Sequence, residues 1–312
     1  MTVTVIVCTR DRPHMISECL TALSANDYPN MEIIVVDQST DSSTADAVEP
    51  RLRSDSRIHY ISTNTIGLSR ARNIGVQESR GEIIAFTDDD CTPDRGWVKA
   101  LVDEFSKNPN VSAVYGRCLP SGDFLPKDRL VGVKIDSKQQ IFCGKSNPWR
   151  LGHGNNMAFR RCLFDVVGFF DEALGPGGLL WNADDADFTY RVLCAGFKAL
   201  YSPKPVIYHK QFRRGEARWR LEKEYGMGAG AMSCKYLRGG DAYMLFLLGD
   251  RLGRGGLTHI IYGMLTAQPA HIRIGWYRIS STVVGLCAAR QVPLDTSRRV
   301  FIVPSGGVQA HA

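Results

Sequence analysis

Several features are missing from this 312-residue sequence, and each absence removes a class of protein. Its nine cysteines form an odd set with no CxxC pair. Neither a disulfide scaffold nor a cysteine-type zinc site is therefore expected, and a reducing compartment is favoured. The longest apolar runs, such as Ala242–Leu248, fall far below the roughly 18 residues that span a bilayer. The opening MTVTVIVCTRDRP reaches charge at Arg10 without a long apolar stretch, so no secretory leader is expected and the cytoplasm is the expected location. No period of solenoid type runs through the 30 glycines and 14 prolines. Acid is scarce in one part of the chain: residues 201–312 carry 16 Lys and Arg against 6 Asp and Glu, a balance of +10, whereas residues 1–200 carry 22 against 26.

With 44% hydrophobic and 22% charged residues, the chain has enough apolar surface for a sizeable core. Val3–Cys8, Glu32–Val36, Ile58–Ile61, Glu82–Thr87 and Val111–Tyr115 read as short buried strands. Helical patterns separate them: Ile16, Leu20 and Leu23 on one face, then stretches near Thr44–Leu52, Ser69–Glu78 and from Pro93 to Ser106. Such alternation predicts a mostly parallel α/β sheet, in which ligands bind beyond the C-terminal strand ends. The polar segments TRDR, DQST and DDDC each follow a strand, so they are expected to converge on one edge. Residues 117–150 read as irregular or antiparallel. Later come a helix at Arg161–Val167, another beginning near Asp184, a short strand Val206–Tyr208 ending at His209, and a helix at Glu216–Leu237.

Asp88, Asp89 and Asp90 repel one another unless a cation or hydrogen-bond donors neutralise them. Hard oxygen ligands suit Mg2+ or Mn2+ bridged to substrate phosphates, although an acidic turn capping the next helix would use the same residues. Gly67-Leu68-Ser69-Arg70-Ala71-Arg72-Asn73 sets Gly and Ser at a helix start, where anions bind and Arg72 reaches a phosphate or an acid. Tyr225–Gly230 holds GxGxG without the full dinucleotide fingerprint or its βαβ setting, so a nicotinamide site is rejected in favour of close helix packing.

In order, VIVCTRDRP, IIVVD, GLSRARN, the strand ending in DDD, GHGNNMAFRR, VGFFDEALG and WNADDADFTYRVLCAG resemble a family 2 glycosyltransferase of GT-A fold over roughly residues 3–210. That resemblance implies a Rossmann-like, mostly parallel sheet flanked by helices over residues 1–210, divided into a nucleotide-sugar half (1–116) and an acceptor half (117–210). Residues 211–312 would be a basic, mainly helical extension. It further implies that Thr9, Arg10 and Arg12 line the base and ribose pocket, and that Asp37 accepts a hydrogen bond from the base, commonly uracil. Arg72 would flank the nucleotide together with Asp88 and Asp89. Asp88 and Asp90 match the DxD motif, with Asp90 the direct ligand of Mn2+ or Mg2+ and His209 a further one. Asp185, with Asp184 as fallback, occupies the place of the general base that deprotonates the acceptor hydroxyl. The family also implies inversion at the anomeric carbon.

Asn156 is expected to meet donor-sugar hydroxyls, and Trp181 either stacks on an acceptor ring or fills the core. In the basic segment from Lys210–Arg214 to Arg218-Trp219-Arg220, one or two arginines would clamp a diphosphate or, with the apolar stretches after it, the segment would meet anionic lipid at the membrane periphery. The acceptor would be a sugar, a lipid-linked sugar or a small molecule. Nucleic acid is not expected, because no recognised nucleic-acid motif is present. Two rival readings are a nucleotidyltransferase acting on a sugar phosphate and a non-catalytic nucleotide-sugar-binding module.

Overall fold

The computed structural model describes residues 1–122, 129–130, 132–210, 212–213 and 215–303. Packing divides the chain into two compact units. The first holds Met1–Ile66, Arg70–Phe170 and Phe188–Phe212, and the second holds Gly67–Ser69, Asp171–Asp187 and the chain from Arg213.

The first unit is built on one mixed sheet. Strands β1 (Val3–Thr9), β2 (Met31–Asp37), β3 (Ile58–Ser62), β4 (Ile83–Asp88), β5 (Cys91–Pro93), β6 (Val111–Pro120), β7 (Gln140–Phe142), β8 (Met157–Arg160) and β9 (Lys198–His209) form it. The order is β3-β2-β1-β4-β8-β6-β9-β5, with β7 beside the first half of β9. β3, β2, β1 and β4 are parallel, as the alternating pattern predicts. Helices α1 (Pro13–Ser24), α2 (Ser43–Ser54), α3 (Leu68–Glu78) and α4 (Trp97–Lys107) connect these strands and those that follow. Val3, Val5 and Val7 point to one core layer, shared with Ile16, Leu20 and Leu23 of α1. Ile6 points to the other, because side chains alternate along a strand. That second layer contains a phenylalanine cluster: Phe188 stacks on Phe170 at 4.4 Å and meets Phe159 edge-on at 4.9 Å. Truncating Phe188, which is fully buried, would cost about 3–5 kcal/mol.

Three elements differ from the sequence expectation. β8 runs antiparallel between β4 and β6, a four-residue strand too short for its alternation to stand out. β9 is 12 residues rather than the short Val206–Tyr208, because the strand continues through Pro203 and Pro205, where the pairing with β6 shifts register. Pro93 ends β5 instead of opening a helix, because Cys91–Pro93 pairs with the distant β9, a long-range contact without local signature. The remaining part of 117–150 contains β7 and a 3-10 turn at Pro148–Arg150, while 123–128 and 131 fall outside the described residues.

The second unit is mainly helical, with α5 (Cys162–Val167) belonging to the first and α6 (Asp184–Cys194) giving only its opening turn to the second. Its long helices are α7 (Gly215–Arg238), α8 (Tyr243–Asp250), α9 (Thr258–Leu265) and α10 (Pro269–Arg290), with a π-helical stretch at Arg251–Leu257. The glycines of Tyr225–Gly230 lie inside α7. A Cβ on Gly226 would stand 1.8 Å from Ser281 Oγ of α10, so close helix contact, not phosphate binding, uses that segment.

Candidate active site

Parallel strand ends build the first part of the site. Register places Thr9 beside Asp37 and Cys8 beside Asp88, so the polar segments after β1, β2 and β4 emerge together. Asp11 adopts a left-handed backbone, φ 55, and ties two of these segments. Its carboxylate accepts from the Thr40 amide at 2.8 Å, and its own amide donates to Ser39 Oγ at 2.7 Å.

The three aspartates have separate partners. Asp88 lies 3.6 Å from the buried Arg72 guanidinium, which packs over Phe86 and Phe170 and also donates to the Gly154 carbonyl at 3.4 Å. Asp89 accepts from Thr9 Oγ1 at 2.8 Å and from Arg12 Nη1 at 3.1 Å. Burial lifts the Asp89 pKa to about 6 despite the attraction of Arg12, and the neighbouring Asp90 adds to the rise. Asp90 accepts from Arg12 Nη1 at 3.2 Å and meets His209 Nε2 at 3.0 Å. The antiparallel pairing of β5 with β9 causes that meeting, since it sets His209 directly opposite Cys91.

Burial opposes a charged His209, yet hydrogen bonding to Asp90 and Cys118 outweighs it and carries the pKa up to about 10. The ligating atoms of Asp90, Cys91 and His209 lie within 4.8 Å of one another. Burial, with the nearby acids, pushes the Cys91 thiol well above its usual range, so it stays protonated and is a poor ligand. Binding of an ion would displace the proton shared by Asp90 and His209, leaving a carboxylate and a neutral imidazole, a donor set that fits a hard divalent ion.

Other expected residues take varied positions. Asp37 is buried at the end of β2, where Tyr60 donates its hydroxyl at 2.5 Å and the Ser39 amide donates at 2.8 Å. Arg10 is partly exposed and pairs with Asp11 at 3.5 Å. Asn156, expected to meet donor-sugar hydroxyls, is bonded within the fold. It is 1% exposed, accepts from Trp97 Nε1 at 2.9 Å, and donates to the carbonyls of Arg117 at 2.9 Å and Pro205 at 3.1 Å. Its neighbour Asn155, which sequence reasoning passed over, keeps a buried Oδ1 without a hydrogen-bond partner. A Cβ on Gly132 would meet both Asn155 Nδ2 and the His209 ring, so these two line one spot. The doubled amide in GHGNNM was the available signal. Gln211 and Arg214 of the expected diphosphate clamp lie outside the described residues, and Lys210 pairs with Glu18.

The second unit holds the other acids. Asp184, Asp185 and Asp187 occupy the first turn of α6, where carboxylates complement the helix dipole. Asp187 is fully buried, 2.5 Å from Lys235 Nζ and 2.9 Å from the Tyr236 hydroxyl. Lys235, also buried, bridges to Asp171 at 2.8 Å, and Asp171 accepts from the Phe301 amide at 2.9 Å. These pairs explain why Asp171–Asp187 packs with the C-terminal helices. Asp184 is 5% exposed and sits against Gly175. Of the three, Asp185 alone retains partial exposure. Trp181, three residues before this turn, is half-buried with a left-handed backbone, φ 59, a conformation a non-glycine residue keeps only when its surroundings enforce it.

A family model described as glycosyl transferase family 2 matches residues 4–168, more than half of the chain. The chain belongs to glycosyl transferase family 2. It is accordingly a glycosyl-transfer enzyme, which sets aside the nucleotidyltransferase and non-catalytic readings. A Haloferax volcanii glucosyl-dolichyl phosphate glucuronosyltransferase is 26% identical over 238 residues, 73% of this chain and 75% of that protein. A Pyrobaculum calidifontis mannosyltransferase solved with GDP-Man and Mn2+ shares the fold at TM-score 0.63 and 22% identity, covering 91% of this chain and 86% of that one. Residues 1–349 of the S. aureus protein TarS, solved with UDP-GlcNAc, give TM-score 0.56 at 17% identity, covering 93% and 92%. As a family 2 glycosyltransferase the chain has the GT-A type of sheet expected from its motifs.

Proposed function

We propose that this glycosyltransferase moves a sugar from a uridine diphosphate donor to a hydroxyl of a lipid-linked acceptor, with inversion and with dependence on Mn2+ or Mg2+. The observation that carries the reading is the 3.0 Å approach of Asp90 to His209, two buried ligand types brought together from separate strands beside Arg12. Asp90 and His209 would hold the ion, which when bound neutralises charge on the departing diphosphate. Arg12 and Arg72 already carry positive charge to the acidic loop and would face the same phosphates. Thr9, Arg10 and Asp37 line the base and ribose, with Asp88 and Asp89 holding the two arginines in place.

Asp185 acts as general base because its carboxylate keeps access to solvent while Asp184 and Asp187 are buried. The acceptor oxygen attacks the anomeric carbon, the bond from that carbon to the diphosphate breaks, and the hydroxyl proton passes to Asp185. One displacement inverts the centre and needs no second carboxylate as nucleophile. Trp181 stacks on the acceptor sugar. The acceptor assignment draws on the H. volcanii relative, whose name specifies glucosyl-dolichyl phosphate, and on the +10 balance of residues 201–312.

A nucleotide-sugar panel read by thermal shift with Mn2+ tests the donor, since ligands that bind the native state raise its melting temperature. UDP-sugars should raise it and GDP-sugars should not; the reverse pattern removes uridine. Full turnover after metal stripping in excess chelator would remove the metal.

A further inference from the structure

Eighteen large apolar side chains are exposed among the described residues, and ten of them lie between Leu245 and Val284. Single exposed apolar residues are ordinary, but a concentration of this kind marks a contact surface. Tyr243–Asp250, Arg251–Leu257 and Thr258–Leu265 follow one another without interruption, and Pro269–Arg290 returns against them. The outward face carries Phe246, Leu257, Ile261, Met264, Leu265 and, from α10, Trp276, all between 44% and 82% exposed.

The inward face sets glycines against isoleucines and the backbone of the facing helix. A Cβ on Gly263 would stand 2.7 Å from Ile272, and one on Gly275 would stand 2.4 Å from the Gly256 carbonyl oxygen. A helix that faces water turns its apolar side chains inward. Here small residues bring the backbones together while Leu257, Ile261 and Leu265 point out, an arrangement found in helices whose surroundings are themselves apolar.

Charge identifies those surroundings. Between residues 243 and 290 the sequence has five arginines (251, 254, 273, 278 and 290) and a single acid, Asp250. Arg251 is bonded inward to Thr282, and Arg278 pairs with Glu222 of α7. Arg254 (paired with Asp250), Arg273 (paired with Glu216) and Arg290 stay at the surface, so the net positive charge there opposes a second copy and complements an anionic lipid surface. Spanning is excluded by Asp250, Arg251 and Arg254 in mid-run, and no helix among the described residues is long and apolar enough to cross a membrane. The hairpin therefore lies in the plane of the interface.

We propose that residues 243–290 form a membrane-seating hairpin that buries this outward apolar face in an anionic bilayer surface. It extends the lipid-linked acceptor reading, to which it adds the partner surface, but its test needs neither donor nor turnover.

The full chain is sedimented with vesicles of phosphatidylcholine, alone or mixed with phosphatidylglycerol. The unmodified protein should pellet with the mixed vesicles and less with phosphatidylcholine alone. The double variant Ile261→Ser/Leu265→Ser should partition roughly a hundredfold more weakly, since each lost side chain removes about a decade or more of apolar transfer. Arg254→Ser should weaken binding severalfold, on the anionic vesicles and at low salt only. An unchanged melting temperature of each variant in buffer excludes misfolding as the cause. The proposal is overturned if the unmodified chain stays in the supernatant with both vesicles, or if the double variant binds as well as the original. Concentration-dependent dimerisation without lipid, abolished by the same double variant, would overturn it in favour of a second copy. Failure of UDP-sugars to shift the melting temperature would remove the donor reading and leave this surface standing.

Discussion

The two acidic triplets of this glycosyltransferase contain the same chemistry on different backbones, and the backbone decides which carboxylate stays partly exposed. Asp88-Asp89-Asp90 leaves a strand end, where successive side chains diverge. Asp88 there meets Arg72, Asp89 and Asp90 share Arg12, and Asp90 also meets His209. Asp184, Asp185 and Asp187 begin a helix, where residues three apart share a face. Asp184 and Asp187 therefore turn inward together, and Asp185 turns away from them. A strand end distributes its acids among partners, while a helix turn sorts them into buried and partly exposed. The strand triplet is consequently tied to cations, and the helix triplet keeps one partly exposed carboxylate, the one proposed as base.

Breaking the helix triplet at Asp185 should have the largest effect. Asp185→Asn is expected to lower kcat about a thousandfold with little change in donor KM, in line with the loss of a general base. Asp184→Asn should cost at most about tenfold, and equal losses at the two positions would end the sorting argument. In the strand triplet, Asp90→Asn should reduce kcat/KM by about a hundredfold and abolish the Mn2+-dependent part of the UDP thermal shift. Asp89→Asn should leave that metal dependence in place, and calorimetric titration of Mn2+ separates the two.

The structural half of the helix triplet is tested by stability. Lys235→Met leaves Asp171 and Asp187 buried without their cation and should cost about 3–5 kcal/mol, read as a lower urea midpoint. Combining it with Asp171→Asn and Asp187→Asn should recover part of that loss, because no unpaired charge then remains.

The smallest expected effect comes from a pair outside both triplets. Hydrogen bonding to Arg57 holds the Asp55 pKa at about 2, below its ordinary 3.8. A depressed carboxylate pKa contributes stability above pH 4 that is lost as the pH falls through about 2. The pair is partly exposed, so Asp55→Asn should cost about 0.5 kcal/mol at neutral pH and nothing at the acid end of the titration. A loss comparable to Lys235→Met would erase the contrast between buried and exposed pairs.

Much of the nucleotide side was legible in the sequence because the relevant signals are local. Val3–Thr9, Met31–Asp37 and Ile83–Asp88 are compact β-branched runs ending in polar residues, and parallel strands in register bring such ends together. The helix expected at Glu216–Leu237 is likewise found, as Gly215–Arg238. What stayed hidden depended on contacts between distant segments. The pairing of Cys91 with His209, the register shift that carries β9 past Pro203 and Pro205, and the insertion of β8 between β4 and β6 leave no periodic trace. Nor could sequence tell Asn156 from Asn155, since two adjacent amides look alike until one is spent on Trp97 and the other is left with an unpaired oxygen.

By itself the sequence determined the alternation of strands and helices from β1 to β4, the polar ends of β1, β2 and β4, and the charge asymmetry, because periodicity and composition act over a few residues. Tertiary structure alone decided which carboxylate meets His209, which is held by Lys235, and which side of the glycine-packed hairpin faces outward. Burial and electrostatic pairing set those outcomes, and both arise from segments that are remote in the chain and adjacent only in the fold.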